Sequence, residues 1–394
     1  MPFRYRPGRI RNRAAFNARI RLISAALLLP IVCVSSSLQA NDTMELGYFS
    51  RAIAKRPNDL KAHLNYQRIA LKLHGRSHVQ KEYQNRLKTN PDNGLYLYLY
   101  ARLIADGTNA RSYLERAVQA APTLYQARVD LGKIYYSEGE YDDAIAQYRA
   151  ALKQKTSAGT HNLLGLAYYH KGYAKQAVAE YRLAIQHNNQ YVDAYLNLGL
   201  TCYYTGQIDA AIDTYRQVLK QAPSHADAPI VHRNLGMAYA RKGQVDRAEK
   251  AYRKALALKP GFTEVHVNLG NLAFNNGRFE DAVQAYEKAL GTPQENDSLH
   301  FRLGIAHYSQ QAYQNSARHL QKALEQAPEH TQTYYYLGLA YNGSDRPQDA
   351  IKALETYVKK EQRLAHKATV FKAKQLLEDL KRSKYHDFFK NIGK

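Results

Sequence analysis

Tryptophan is absent from the 394 residues, cysteine occurs twice, and 34 acidic side chains stand against 56 lysines and arginines. Two cysteines, Cys33 and Cys202, exclude a disulfide framework. Cys202 falls on the packed side of a helical stretch, where a thiol serves as a small hydrophobe rather than a nucleophile. The main apolar stretch, residues 22–34, is 13 residues long and contains Pro30. It is shorter than the roughly 20 apolar residues that a membrane-spanning helix needs. No His-Glu-x-x-His motif, glycine-rich phosphate loop or serine nucleophile elbow occurs. Nothing in the sequence supports catalysis, a resident cofactor or a metal site. The shortage of acid leaves a formal charge of +22, which argues for acidic partners or an anionic surface and is silent about fold.

The first forty residues differ from the rest. Seven arginines and no acid precede the apolar stretch, and Ser-Ser-Ser-Leu-Gln-Ala follows it. Basic, apolar, then small residues is the order of a secretory signal, with cleavage expected near Ala40 and a periplasmic or secreted product. Arginine richness also suits a mitochondrial transit peptide, and an uncleaved segment would make an inner-membrane anchor. Removal of residues 1–40 would lower the charge to +15.

What is abundant is repetition. A Leu-Gly pair recurs at 131/132, 164/165, 198/199, 235/236, 269/270, 303/304 and 337/338. The residue spacing predicts two short amphipathic helices per copy, joined at Gly139, Gly172, Gly206, Gly243 or Gly277. The second helix opens on a small residue (Ala144, Ala177, Ala211, Ala248, Ala282, Ser316, Ala350) and continues four residues on with Tyr148, Tyr181, Tyr215, Tyr252, Tyr286, Leu320 or Leu354. Pro223, Pro260 and Pro328 are placed to stop helices. The Gly of each Leu-Gly pair removes a side chain where the second helix crosses the first. The organisation read from these signals is a signal peptide (1–40), an N-terminal helix (41–58), two degenerate helix pairs (59–122), seven regular units (123–357), and a basic C-terminal helix and tail (358–394). That last helix is expected over Lys359–Asn391, with Leu364, Phe371, Leu377 and Leu380 on its apolar side.

This pattern resembles the tetratricopeptide repeat. The resemblance implies an all-α, right-handed superhelical solenoid of antiparallel helix pairs with a C-terminal capping helix. The family's tryptophan is missing; its place, three residues before Leu, holds Arg128, His161, Tyr195, His232, His266, His300 or Tyr334. Those histidines read as packing groups, because equivalent residues of stacked helices about 8–10 Å apart form a ladder rather than a metal cluster.

In the family, the residue just before Leu-Gly faces the concave surface. Here Asn197, Asn234 and Asn268 occupy it in consecutive units. An amide both donates and accepts, so these asparagines resemble a ladder that grips an extended peptide backbone. Asn271, Asn275, Arg233, Arg241, Arg302, Tyr136, Tyr169 and Tyr203 complete the expected groove. The function implied is a non-enzymatic scaffold of the bacterial cell envelope that binds an acidic peptide or protein segment. An anionic glycan, lipid head group or membrane surface is the alternative ligand. Nucleic acid is not expected, and RNA becomes a ligand only if the N-terminus is not an export signal.

Overall fold

The computed structural model describes residues 36–104, 107–290, 297–361, 363 and 366–392. Among them are 19 helices and no strand. The chain divides into two compact units at Ala222/Pro223. The expected signal segment lies outside the described residues, except that 36–40 begin the first helix.

In the N-terminal unit, α1 (Ser36–Lys55) packs on α2 (Leu60–Thr89). The helix α1 starts five residues before the expected Asn41 and ends ahead of Pro57, whose ring disfavours helical geometry in the residue before it. The expected pair over 59–91 is present, with its turn at Gly75, where φ is +78° and ψ 168°. Then come α3 (Gly94–Ala101) and α4 (Gly107–Ala120), the shortened pair. Every residue of α3 is buried, which is why its sequence, Gly-Leu-Tyr-Leu-Tyr-Leu-Tyr-Ala, has no polar face. Regular pairs follow: α5 (Tyr125–Glu138) with α6 (Tyr141–Gln154), α7 (Ala158–His170) with α8 (Ala174–His187), and α9 (Val192–Tyr204) with α10 (Ile208–Gln221).

The C-terminal unit continues the plan with α11 (Ala228–Arg241) and α12 (Val245–Leu258), α13 (Thr263–Asn275) and α14 (Phe279–Leu290), α15 (Asp297–Ser309) and α16 (Tyr313–Gln326), and α17 (Thr331–Gly343) and α18 (Pro347–Lys360). The last helix, α19 (Lys367–Ile392), packs on α18. Ala222, Lys259 and Ala327, each just before a proline, sit at φ −139°, −141° and −136°, outside the helical region. The prolines thus end α10, α12 and α16 two residues ahead of themselves.

Within each pair the packing is set by the Leu-Gly glycine. A Cβ built on Gly132 would lie 2.6 Å from Cε1 of Tyr148, and one on Gly236 would lie 2.5 Å from Cε1 of Tyr252. In the last two pairs Leu320 and Leu354 fill the same notch against Gly304 and Gly338. The small residue that opens the second helix is fully buried in all seven, from Ala144 to Ala350. Where it is Ser316, the hydroxyl donates to the Gly304 carbonyl at 2.7 Å, so burial leaves no polar group unpaired.

The turn glycines adopt φ between +75° and +89° in five successive pairs, from Gly139 to Gly277. Counting on by 34 residues gives Gln311 and Asp345, and these adopt φ +62° and +56° without being glycine. A left-handed residue with a Cβ costs roughly 1–2 kcal/mol, less for Asp, whose side chain bonds locally. Gln311→Gly is therefore expected to stabilise the C-terminal unit by about 1 kcal/mol, read as a higher urea midpoint at unchanged slope. A lower midpoint would show that Gln311 is not strained.

The C-terminal helix departs from expectation in two ways. It does not run on from Lys359: α18 ends at Lys360, and α19 begins at Lys367. The cause is Glu361, a carboxylate buried at the junction. It accepts from Arg363 Nε at 2.7 Å, His366 Nδ1 at 2.9 Å and Thr331 Oγ1 at 2.7 Å, bonds that a continuous helix could not offer it. Phe371, expected on the apolar side, is 61% exposed, while Ala373 and Leu377 pack inward. Leu364 lies outside the described residues.

Candidate functional site

The residue before each Leu-Gly pair is held by the geometry just described. Leu points into its own pair and Gly receives the second helix, so the preceding side chain projects towards the neighbouring first helix. Three such residues bond across to it. Asp130 of α5 accepts from Tyr98 of α3 at 3.3 Å and from Lys133 at 2.7 Å. Asn197 of α9 donates to Asn162 Oδ1 of α7 at 2.8 Å. Arg302 of α15 donates to Asn271 Oδ1 of α13 at 2.6 Å. Asn162 was not legible as a partner, since it stands two residues before Leu164 rather than one; the step across to the next helix brings it into reach.

In the C-terminal unit the stripe is rich in donors. Arg233 donates from Nε at 3.2 Å and from its terminal nitrogen at 3.1 Å to Asn234 Oδ1, and its guanidinium lies 5.4 Å from the Phe262 ring centre. Asn234 is 2% exposed, and its amide nitrogen has no acceptor. Tyr286 passes beneath Gly270 and donates its hydroxyl to Asn271 at 2.7 Å, so one amide oxygen serves both Tyr286 and Arg302. Burial pushes the Tyr286 hydroxyl up to about 12, which keeps it a donor. Asn268 is half-buried on the same stripe, and Asn275 and Arg241 are exposed at the helix ends. The helix α11 carries no carboxylate, and α13 and α15 carry only Glu264 and Asp297, both in their first turns.

Two features differ from the expected groove. Asn234 is buried rather than open, with its oxygen engaged by its own neighbour. Tyr136 and Tyr203 are buried as well, Tyr136 edge-on to Tyr141 and His170 and Tyr203 edge-on to Tyr204. Their place, one turn past Gly, lies between adjacent pairs and takes part in inter-repeat packing. Among the accessible rings of the N-terminal unit are half-buried Tyr169, Tyr141 and His170, the last two stacked at 5.6 Å, and exposed Tyr204.

The slot of the missing tryptophan has a repeated structural role. Its side chain bonds the carbonyl six residues earlier, in the loop that enters the helix. Arg128 Nε donates to Pro122 at 3.0 Å, and the hydroxyls of Tyr195 and Tyr334 donate to Asn189 and Pro328, each at 3.2 Å. His266 Nε2 reaches Pro260 at 3.2 Å, and in the first degenerate pair His63 Nε2 reaches Pro57 at 2.9 Å. His161 instead meets Glu180 at 2.7 Å, and His232 Nδ1 is buried without a partner. Among the described residues no group of three or more His, Cys, Asp or Glu is placed to hold a metal ion.

A family model described as the cilia and flagella-associated protein 70 C-terminal domain matches residues 154–376, more than half of the chain, and a tetratricopeptide repeat model matches residues 132–172. The chain belongs to the tetratricopeptide repeat family. Several solved structures are similar to the chain. A chain of the APC/C hetero-tetramer Cut9-Hcn1 is 15% identical with a TM-score of 0.48, the match covering 74% of this chain and 59% of that one. This tetratricopeptide repeat chain thus spans less than two thirds of that protein's length. A tetratricopeptide repeat protein from Parabacteroides merdae is 18% identical over 66% of this chain and 98% of its own, with a TM-score of 0.47. Pseudomonas aeruginosa pilF is 20% identical over 52% and 92%, with a TM-score of 0.45. No curated protein sequence matches the chain. As a tetratricopeptide repeat array it is a protein-interaction scaffold, and neither matching family model describes an enzyme.

Proposed function

We propose that this scaffold is a non-enzymatic adaptor of the bacterial cell envelope that binds an extended, acidic peptide segment along its first-helix stripe. The observation that carries this reading is the imbalance of donors in the C-terminal unit. Arg233, Asn234, Asn268, Asn271 and Arg302 share a stripe whose three helices carry two carboxylates, both in first turns. The Asn234 amide nitrogen has no acceptor inside the protein. A peptide carbonyl or an Asp/Glu side chain supplies the acceptors that such a stripe lacks. In the N-terminal unit the linked pair Asn162–Asn197 offers a similar main-chain partner. The envelope setting is favoured by the basic, apolar and small-residue order of residues 1–40.

Binding of fluorescent extended peptides tests this directly. Acidic peptides are expected to bind more tightly than neutral ones of equal length, and the preference to shrink with salt. Arg233→Ala with Arg302→Ala should weaken the acidic peptide about tenfold or more, since charged hydrogen bonds are worth roughly 1.5 kcal/mol or more each. The Asn197, Asn234 and Asn268 triple alanine variant should weaken acidic and neutral peptides alike. Unchanged affinity in both variants overturns the stripe as the site. Fractionation of cells expressing a tagged chain tests the compartment; retention in the cytoplasm overturns it. The Tyr141–His170 stack with Tyr204 and Tyr169 nearby favours a second reading, an anionic glycan ligand, whose rings would lie on those faces. Glycan binding abolished by Tyr204→Ala and untouched by Arg233→Ala would support it over the peptide.

A further inference from the structure

The turn of the first degenerate pair brings two exposed histidines together. His74 ends the first arm of α2 and His78 opens the second, with Gly75 between them at φ +78° and ψ 168°. That backbone region is open to glycine almost alone. The ring centres are 5.0 Å apart and the ring planes are inclined at 44°, neither stacked nor edge-on. Two imidazoles that bond one metal ion at about 2 Å, with about 90–110° between the bonds, have ring centres about 4.5–5.2 Å apart. The observed separation falls inside that window.

Register shows what is particular to this turn. One residue before and three residues after the turn glycine, the regular pairs carry Glu138 with Asp142, Lys171 with Lys175, Thr205 with Asp209, Lys242 with Asp246, and Asn276 with Glu280. Among these six turns, that at Gly75 alone sets two imidazoles at the two places. The spacing, His-x-x-x-His, is the one by which two histidines reach a single zinc ion in metalloprotease helices. Its second position here is Gly75 rather than glutamate, so it supplies ligands and no general base. Neighbouring charge narrows the choice of ion. Lys72, Arg76 and Lys81 are exposed nearby in the chain, Lys72 being ion-paired with Asp42. Such bases disfavour a hard cation such as Ca²⁺, which needs several oxygen ligands. Neutral imidazoles instead suit Zn²⁺, Ni²⁺ and Cu²⁺. Two protein ligands leave the other coordination positions to water, in keeping with the lack of any three-ligand group among the described residues.

We propose that His74 and His78 form a two-histidine site for a divalent transition metal, Zn²⁺ or Cu²⁺, which ties the two arms of α2 together across Gly75. The second metal–nitrogen bond forms within the same chain, so the pair should hold the ion about a hundredfold more tightly than either histidine alone. A ligating imidazole must be unprotonated, and binding therefore weakens as the pH falls.

Calorimetric titration of the untagged full chain with Zn²⁺ tests the site. One equivalent should bind about a hundredfold more weakly in His74→Asn, in His78→Asn and in the double variant alike, because losing either ligand undoes the chelate. Both side chains are exposed, so the three variants should melt like the wild type in the absence of metal. Single variants that keep the wild-type affinity, or that each lose only half of the bound ion, overturn the site. Substoichiometric Cu²⁺ decides it without any variant. Paramagnetic broadening of NMR signals that begins at residues 73–79 supports the site, and broadening that begins elsewhere overturns it.

Discussion

Gly199→Leu is expected to destabilise the N-terminal unit by about 3 kcal/mol or more, the upper end of what overpacking costs. The notch at Gly199 is filled by the fully buried Tyr215 ring, and even a bare Cβ there would collide with Tyr215 Cε1. The ring has nowhere to go, because Ala211 one turn earlier is also fully buried against the first helix. Since each pair is stabilised mainly by its neighbours, the damage should spread to α7–α8 and lower cooperativity as well as the midpoint. Urea unfolding followed by circular dichroism reads both. Gly199→Ala should be milder, at about 1–3 kcal/mol. A double-mutant cycle separates collision from helix propensity: in a Tyr215→Ala background the same Gly199→Ala change should cost nothing and gain up to about 1 kcal/mol. A cost as large as in the wild type would mean that Tyr215 is not what fills the notch.

Glu361→Ala is expected to cost about 2–3 kcal/mol and to free α19 from the last repeat. Hydrogen bonds to a charged group are worth roughly 1.5–3 kcal/mol each, and Glu361 accepts several at once. The estimate stays near the lower end because its main partner, Arg363, is largely exposed and is rehydrated when the carboxylate goes. Both Glu361 and Arg363 also bond Thr331, at 2.7 and 2.8 Å, so the junction is pinned to the start of α17. Limited proteolysis between α18 and α19 should accelerate in the variant; unchanged cleavage would show that the junction is not held by Glu361. The Arg363 guanidinium, with help from His366 and Thr331, holds the Glu361 carboxyl well below the usual carboxylate range. Its contribution is therefore complete above about pH 4.5 and is lost as pH falls further. Glu361→Gln should flatten the acid limb of α19 docking below pH 4.5.

Period and helix pairing were legible because each depends on contacts within about twenty residues. Gly132 and Tyr148, or Gly236 and Tyr252, belong to one helical hairpin, and the spacing that brings them together repeats along the chain. The turn glycines were legible for the same reason, whereas Gln311 and Asp345 were not: a left-handed residue that is not glycine carries no compositional signal. The break at Glu361 was missed because its cause includes Thr331, 30 residues away.

The binding stripe was legible only as a register. The position before Leu-Gly identifies Asn197, Asn234 and Arg302, but what each one does depends on the adjacent helix. Asn197 is claimed by Asn162, Arg302 by Asn271, and Asn234 by Arg233, while Tyr136 and Tyr203 are packed between repeats.

The amino-acid sequence by itself determined the repeat family, the antiparallel helix pairs, the glycine notch and the places where prolines end helices. All of these follow from steric demands local to one hairpin. Tertiary structure alone decided which polar groups are already paired and which ring faces outward at Phe371. Those outcomes rest on contacts between side chains on different helices, where a shift of one position exchanges a buried partner for water.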